Sequence, residues 1–161
     1  MVTASAKGTM VATGTTSLDV PMLVLFERDV WKSGFDVPSL VVWPDGTVEY
    51  VDRAYEDHPQ LYRAQIPQNQ AVELLRSTVA RLRDNPGKFS LSNASDQKYV
   101  EIIFRDANAW RYVTVYALQR GTRDTHAQSP LHDVIATYHD LLASRPSGRS
   151  PAPNTGSAPP E

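Results

Sequence analysis

A tight hairpin is the sequence feature that most narrows the fold of this chain. Two short apolar-rich runs, 39–43 and 47–52, flank the turn sequence Pro-Asp-Gly at 44–46. Proline suits the first corner of a type I turn, and glycine tolerates the left-handed conformation that closes a bulged hairpin. The segment therefore predicts two antiparallel strands, with Val48 and Tyr50 on the same side of the sheet.

Other segments also have the character of strands. The run 22–27 reads MLVLFE, and its continuous apolar character is typical of a strand covered on both faces. Segments 99–105 and 111–118 alternate in polarity, and the connection 106–109 has the length of a hairpin loop. A shorter strand is predicted at 61–66.

Two amphipathic helices are predicted at 69–84 and 130–143. The first ends at the Asn-Pro-Gly sequence 85–87, and the second starts with Ser129 as N-cap and Pro130 at the first helical position. The apolar stripe of the first helix consists of Val72, Leu75, Val79 and Leu82, and it is widened by Ala71, Leu74 and Ala80. The stripe of the second consists of Leu131, Val134, Ile135, Tyr138, Leu141 and Leu142.

The order hairpin, helix, hairpin, helix predicts an α+β fold. Strands joined by tight turns pair antiparallel, so we expect a mainly antiparallel sheet of five or six strands with both helices on one face. The domain is expected to span 18–144. Residues 1–17 are expected to form a flexible leader, and the Pro/Ser/Gly-rich segment 145–161 a disordered tail.

Composition excludes several classes of protein. No run of about 18 apolar residues is present, so no membrane span is expected. The absence of cysteine excludes disulfides, thiolate nucleophiles and zinc-thiolate sites. The first residues lack the apolar core of a secretory signal, so we expect a soluble, cytoplasmic protein, or a periplasmic or envelope protein if a signal peptide has been removed. Twelve arginines against four lysines indicate a GC-rich bacterial source.

No motif in the sequence specifies a chemistry. The GxGxxG, P-loop and GxSxG motifs are absent. His132 and His139 lie two turns apart on one predicted helix, about 10 Å along its axis, which is too far to share a metal ion. Glu49 and Glu101 fall on predicted strands, where an exposed sheet surface explains them as well as a catalytic pair does. We therefore expect no enzymatic activity, no catalytic residues, no metal and no cofactor.

Two features are candidates for partner binding. Trp31 and Phe35 lie in the connection after the first strand. If exposed they would anchor an interface, and the alternative is that they fold over one end of the core. The second feature is an acidic string that would attract a basic protein surface, although a solvated hairpin edge explains it equally. The string consists of Asp45, Glu49, Asp52, Glu56 and Asp57.

Charge is distributed unevenly along the chain. The net charge is −2, which gives no indication of nucleic-acid binding. Residues 1–60 carry four basic and nine acidic side chains, whereas residues 61–123 carry ten basic and five acidic ones. The folded protein either presents two faces of opposite potential or intermixes these charges on one surface. We expect a protein partner, and a homo-oligomer remains open.

Several segments in order along the chain carry a resemblance: VPSLVVWPDGTVEYV, YRAQIPQNQAVELLRSTVARL, RYVTVYAL and SPLHDVIATYHDLL. They resemble small bacterial lipoprotein-like and immunity-like domains, in which a DGxVxY hairpin is followed by a helix. The resemblance covers roughly residues 21–143 and implies a binding or protective role, with no catalytic residues to carry over. The chain lacks the lipobox cysteine of such proteins.

The expected function is therefore that of a non-enzymatic protein-binding domain, of the immunity type that neutralises a toxin partner. This expectation rests on the small size, the acidic first half, the loop aromatics and the absence of catalytic motifs. One alternative is a small-molecule-binding or small enzymatic module with a cleft between sheet and helices. Another alternative is a structural envelope protein.

Overall fold

A computed structural model describes residues 20–28, 37–52, 60–85, 87–91, 97–118 and 130–146 of the chain. These residues form seven strands and two helices in an α+β fold. The strands are β1 (Leu23–Arg28), β2 (Leu40–Val42), β3 (Thr47–Asp52), β4 (Gln60–Gln65), β5 (Gly87–Ser90), β6 (Tyr99–Asp106) and β7 (Ala109–Tyr116). The helices are α1 (Gln68–Leu82) and α2 (Pro130–Ala143).

One mixed sheet contains all seven strands, in the order β4-β3-β2-β1-β6-β7-β5. Neighbouring strands pair antiparallel except β5 and β7, which pair parallel. The predicted α+β class is thus confirmed, whereas the predicted count of five or six strands is too low. The missed strand is β5. Its four residues, GKFS, are too short to show an alternating pattern, and they lie where the sequence indicates only the end of a helix.

The hairpin of β2 and β3 forms as predicted. Leu40 pairs with Tyr50, and Val42 pairs with Val48. At the turn, the backbone N–H of Gly46 donates to the carbonyl oxygen of Trp43 at 3.0 Å. Gly46 has a φ of +88°, which is the left-handed conformation that glycine adopts without strain.

The hydrophobic core lies between one face of the sheet and the two helices. Its sheet layer is made of alternating residues that are at most 1% exposed: Leu23, Leu25, Leu40, Val42, Val48, Val100, Ile102, Phe104, Val113 and Val115. The helices contribute Ala71 and Leu82 from α1, and Val134, Ile135, Tyr138 and Leu141 from α2. Both helices join the same cluster, so the sheet is covered on this face.

The predicted stripe of α1 faces the core except at Val72 and Ala80, which are exposed. Ala71 and Leu82 are buried, and Leu74, Leu75 and Val79 pack against the core. The buried residues of the helix also include Thr78. Thr78 is tolerated in the core because its hydroxyl donates to the carbonyl oxygen of Leu74 at 2.8 Å. The predicted stripe followed apolar residue types and therefore passed over this threonine.

Helix α2 begins at Pro130, as predicted, and is tied to the sheet by a buried polar cluster. The Tyr138 hydroxyl donates to a carboxylate oxygen of Glu27 on β1 at 2.6 Å. The Arg145 guanidinium lies 3.7 Å from the other oxygen of that carboxylate and donates to the carbonyl oxygen of Ser39 at 3.2 Å. Arg145, which the sequence assigns to the tail, thus contacts the domain.

Neither described helix is long and apolar enough to cross a membrane.

Candidate functional site

The second face of the sheet, opposite the helices, carries a group of aromatic side chains. Alternation along β6 and β7 places Tyr99, Trp110, Tyr112 and Tyr116 here, since Val100, Ile102, Val113 and Val115 point into the core. We call the part of this face formed by β1, β6, β7 and β5 the aromatic face. Its other main side chains are Arg28, Lys88, Glu101 and Arg105.

The register arranges these side chains in rows that run across the strands. Residues directly opposite one another on paired strands lie about 4.5–5.5 Å apart at Cβ, so members of a row are neighbours. One row is Arg28, Tyr99, Tyr116 and Ser90. The next row is Phe26, Glu101, Thr114 and Lys88. The third row is Val24, Ile103 and Tyr112, and beyond it Arg105 lies opposite Trp110.

A shallow groove of about 480 Å³ lies across these rows. Its lining includes Arg28, Lys88, Tyr99, Glu101, Tyr112 and Tyr116. This volume falls within the range of about 300–1,000 Å³ that is usual for binding sites. The groove combines phenolic rings with both signs of charge, which suits the recognition of a polar, partly apolar surface.

Arg28 is held over the aromatic rings at one side of the groove. Its guanidinium lies 4.5 Å from the ring centre of Phe26 and 5.9 Å from that of Tyr99. It also donates to a carboxylate oxygen of Glu101 at 3.2 Å. A guanidinium that stacks on rings and pairs with a carboxylate is fixed in orientation. Among the described residues at this side of the groove, the charges of Arg28 and Glu101 therefore balance each other.

Trp110 and Tyr112 are the most exposed aromatic residues among those described. Trp110 is 48% exposed and Tyr112 is 55% exposed. They are two positions apart on β7, so both side chains project from the same face of the sheet. An adjacent pair of half-exposed rings on a rigid strand is typical of an interaction surface, because exposing so much apolar area to water is unfavourable.

Two cations flank this aromatic pair. Arg105 lies opposite Trp110 on the neighbouring strand, and Lys88 lines the groove together with Tyr112. Within the described residues, neither cation makes an ion pair or a side-chain hydrogen bond. The carboxylate of Glu101 is already paired with Arg28. The aromatic face consequently has an excess of positive charge among the residues that the structure describes.

An ion-pair cluster holds the end of the β6–β7 hairpin, close to Trp110. Asp106 accepts hydrogen bonds from the guanidinium of Arg83, at 2.7 and 3.0 Å, and from Nε of Arg111 at 2.9 Å. Arg83 directly follows α1, so the cluster links that helix to the hairpin turn. Ala107, in this turn, has a φ of +53°. These contacts restrict the orientation of the strand end that presents Trp110.

The same cluster predicts a stability change in acid. Hydrogen bonds from Arg83 hold the pKa of Asp106 below its ordinary value of 3.8. Loss of hydration raises the pKa and offsets part of this effect, whereas Arg111 lowers the pKa further. A carboxylate with a lowered folded-state pKa stabilises the fold above about pH 4, and this contribution is lost as the pH falls through the lowered pKa. We expect the free energy of unfolding of Asp106→Asn, measured by urea titrations, to fall less steeply than that of the parent as the pH drops below 4. Asp84→Asn, an exposed neighbour, is the control, and equal acid slopes for Asp106→Asn and the parent would contradict the prediction.

The acidic string predicted to bind a partner is only partly described, and its described carboxylates contact the domain itself. The carboxylate of Asp45 accepts from the backbone N–H of Thr47 at 2.8 Å and from its hydroxyl at 2.9 Å. The Thr47 amide holds the pKa of Asp45 below its ordinary value. Glu49 forms an ion pair with Arg63 of β4, in which Nε of Arg63 donates to Oε1 of Glu49 at 2.9 Å. Asp45 and Glu49 thus have partners within the fold.

The structure describes fewer contacts, or none, for the remaining predicted site residues. Asp52 is the last residue of β3 and pairs with Gln60. Trp31, Phe35, Glu56 and Asp57 lie outside the described residues. No group of three His, Cys, Asp or Glu side chains that could hold a metal ion occurs in the described part of the chain.

The aromatic face was not predicted from the sequence, although its signal is present there. Trp110, Tyr112 and Tyr116 all carry the same parity along one strand, so alternation places them on one side. The sequence alone does not tell which side of a strand is covered by helices. It therefore does not distinguish these rings from core residues.

No family model, curated protein or solved structure matches this chain. The resemblance to lipoprotein-like and immunity-like domains therefore stays a prediction from the quoted segments.

Proposed function

We propose that this chain is a non-enzymatic protein-binding domain whose partner docks on the aromatic face. The observation that carries the proposal is the pair of half-exposed rings, Trp110 and Tyr112, on one strand. Trp, Tyr and Arg are the residue types most enriched at interface hot spots, the positions where substitution by alanine weakens binding most. All three types are present here, since Arg105 lies opposite Trp110.

The position of β7 in the sheet supports a binding role. This strand is paired on both sides, antiparallel to β6 and parallel to β5. Beneath it, Val113 and Val115 are at most 1% exposed in the core. Because the platform is already ordered, little conformational entropy is lost in binding, and more of the contact energy contributes to affinity.

A cleft between sheet and helices has less support. That space is filled by side chains with no exposure, among them Leu25, Ile102 and Tyr138. One described space of ligand size, the groove, lies on the aromatic face. The immunity-type role, neutralisation of a toxin partner, is the form of protein binding that the sequence resemblance favours.

Position-specific crosslinking in cells tests the proposal. The photoreactive residue p-benzoylphenylalanine is placed at Tyr112 or, as the control, at Val72, an exposed site on α1. We expect irradiation to yield a discrete heterologous adduct from position 112 and none from position 72. Adducts with a second copy of the chain alone would indicate self-association. A stoichiometric small molecule in native mass spectrometry, without any adduct, would indicate a ligand-binding module; either result overturns the proposal.

Truncating the aromatic pair should weaken the complex without unfolding the domain. For Trp110→Ala combined with Tyr112→Ala we expect at least a tenfold loss of affinity for the crosslinked partner, measured by calorimetry. The free energy of unfolding, measured by urea titration, should change by no more than about 1 kcal/mol, because both side chains are half exposed. Leu61→Ala, an exposed apolar site on β4, is the control and should bind like the parent. If the double variant binds the partner as tightly as this control does, the prediction is contradicted.

A further inference from the structure

The geometry points to an acidic partner, a protein segment rich in Asp and Glu that also carries apolar or aromatic side chains. This inference rests on the proposed function and specifies the partner of the same face. It reverses the partner charge that the acidic string in the sequence suggests. The reason is that the carboxylates of Asp45 and Glu49 already bond to groups of the domain. Lys88 and Arg105 of the aromatic face make no ion pair or side-chain hydrogen bond within the described residues.

The placement of Lys88 and Arg105 decides the sign of the charge. Arg105 is the direct cross-strand neighbour of Trp110, and Lys88 and Tyr112 line the same groove. A partner that covers the rings must therefore approach or cover both cations. Removing an unpaired cation from water is costly unless the partner supplies a carboxylate. An acidic segment meets this requirement, and a basic one would place like charges against each other.

Arg28 and Glu101 have a different role in recognition. They are paired with each other at 3.2 Å within the groove, with side chains 26% and 21% exposed. The carboxylate of Glu101 is already matched by a guanidinium, so it does not require a cation from the partner. In the described part of the aromatic face, the charges without an ion-pair partner are thus those of Lys88 and Arg105.

A nucleic acid would also offer aromatic and anionic groups, but the charges favour a protein. Nucleic-acid interfaces collect many phosphate contacts from clustered Lys and Arg. This chain has a net charge of −2, and the described part of the aromatic face holds two cations without an ion pair. Two such cations match a short acidic segment better than a polyphosphate backbone.

An unbiased selection tests the inference. The probe is a random dodecapeptide library displayed on phage and selected on the immobilised full chain, with the Trp110→Ala/Tyr112→Ala variant as the counter-target. We expect the enriched peptides to carry a net negative charge and at least one aromatic residue. A synthetic peptide from this set should lose affinity about tenfold with Lys88→Glu or Arg105→Glu. Arg76→Glu, an exposed arginine on α1, is the control matched in charge and should leave the affinity unchanged.

Charge reversal on both sides gives a readout that a structural defect would not. The same peptide with its acidic residues replaced by lysine should bind the Lys88→Glu/Arg105→Glu variant better than it binds the parent. Restored binding shows that the two cations act on the partner's charge and that the variant is folded. Failure of this exchange contradicts the inference.

The outcomes separate this inference from the proposed function. Enriched peptides that are neutral or basic, and that do not bind the aromatic double variant, would overturn the acidic partner while the protein-binding role stands. No enrichment over the counter-target would overturn both. Binding of oligothymidylate by the parent, lost in the aromatic double variant and stronger than that of the selected peptide, would identify a nucleic-acid surface and also overturn both.

Discussion

Replacing Gly46 by alanine is expected to destabilise the domain by about 3 kcal/mol. Two effects combine at this position. Its φ of +88° is unfavourable for any residue with a Cβ, and an added Cβ would overlap the carbonyl oxygen of Ile66. That carbonyl belongs to the backbone, so the neighbouring chain has to move. The backbone N–H of Ile66 also donates to the Gly46 carbonyl oxygen at 2.9 Å, and this bond would be disturbed.

Gly87→Ala is the matched control for this prediction. Gly87 begins β5, a Cβ added there would meet nothing within 4 Å, and its φ is not in the left-handed region. We expect Gly87→Ala to change the free energy of unfolding by less than about 1 kcal/mol. The measurement is the free energy of unfolding from urea titrations with an unchanged m-value. Equal effects of the two substitutions would show that the turn at Gly46 adapts to a side chain.

Tyr138→Phe is expected to destabilise the domain by about 1.5–3 kcal/mol, which is the usual contribution of a hydrogen bond to a charged group. The Tyr138 hydroxyl donates to the Glu27 carboxylate at 2.6 Å, and Glu27 is only 7% exposed. The substitution removes one hydroxyl and leaves a buried carboxylate with one fewer donor. The phenyl ring keeps its packing in the core, so the effect reports the loss of the hydroxyl group.

Tyr50→Phe is the control for the loss of a tyrosine hydroxyl. The Tyr50 hydroxyl donates to the carbonyl oxygen of Pro146 at 3.2 Å, so its acceptor is uncharged. We expect a loss of about 1 kcal/mol in the free energy of unfolding. If Tyr138→Phe costs no more than Tyr50→Phe, then the carboxylate of Glu27 does not depend on Tyr138. Urea titrations of both variants at neutral pH decide the point.

The proposed binding role and these stability predictions concern opposite faces of the same sheet. The buried cluster of Glu27, Tyr138 and Arg145 joins the sheet to α2, whereas Trp110 and Tyr112 project away from the helices. Substitutions on the aromatic face should therefore affect affinity more than stability. Substitutions at Gly46 or Tyr138 should affect stability first.

Local pattern was enough to predict most of the elements. The turn at 44–46, the start of α2 at Pro130 and the hairpin of β6 and β7 all depend on neighbouring residues, so their signals are local. The predicted stripe of α1 omitted Thr78, a polar residue that is buried because its hydroxyl donates to a carbonyl oxygen of its own helix. Strand β5 was missed because its four residues are too few to show alternation, so that only its pairing with β7 reveals it.

By itself, the sequence determined the α+β class, the two helices and the alternation that gives each strand two distinct sides. Those features follow from turn residues and periodicity, which act over a few positions. Only the tertiary structure decided which side of each strand faces water, because that depends on where α1 and α2 pack. Trp110 and Val113 belong to the same strand, yet one is half exposed and the other is buried, since both helices lie on the face of Val113.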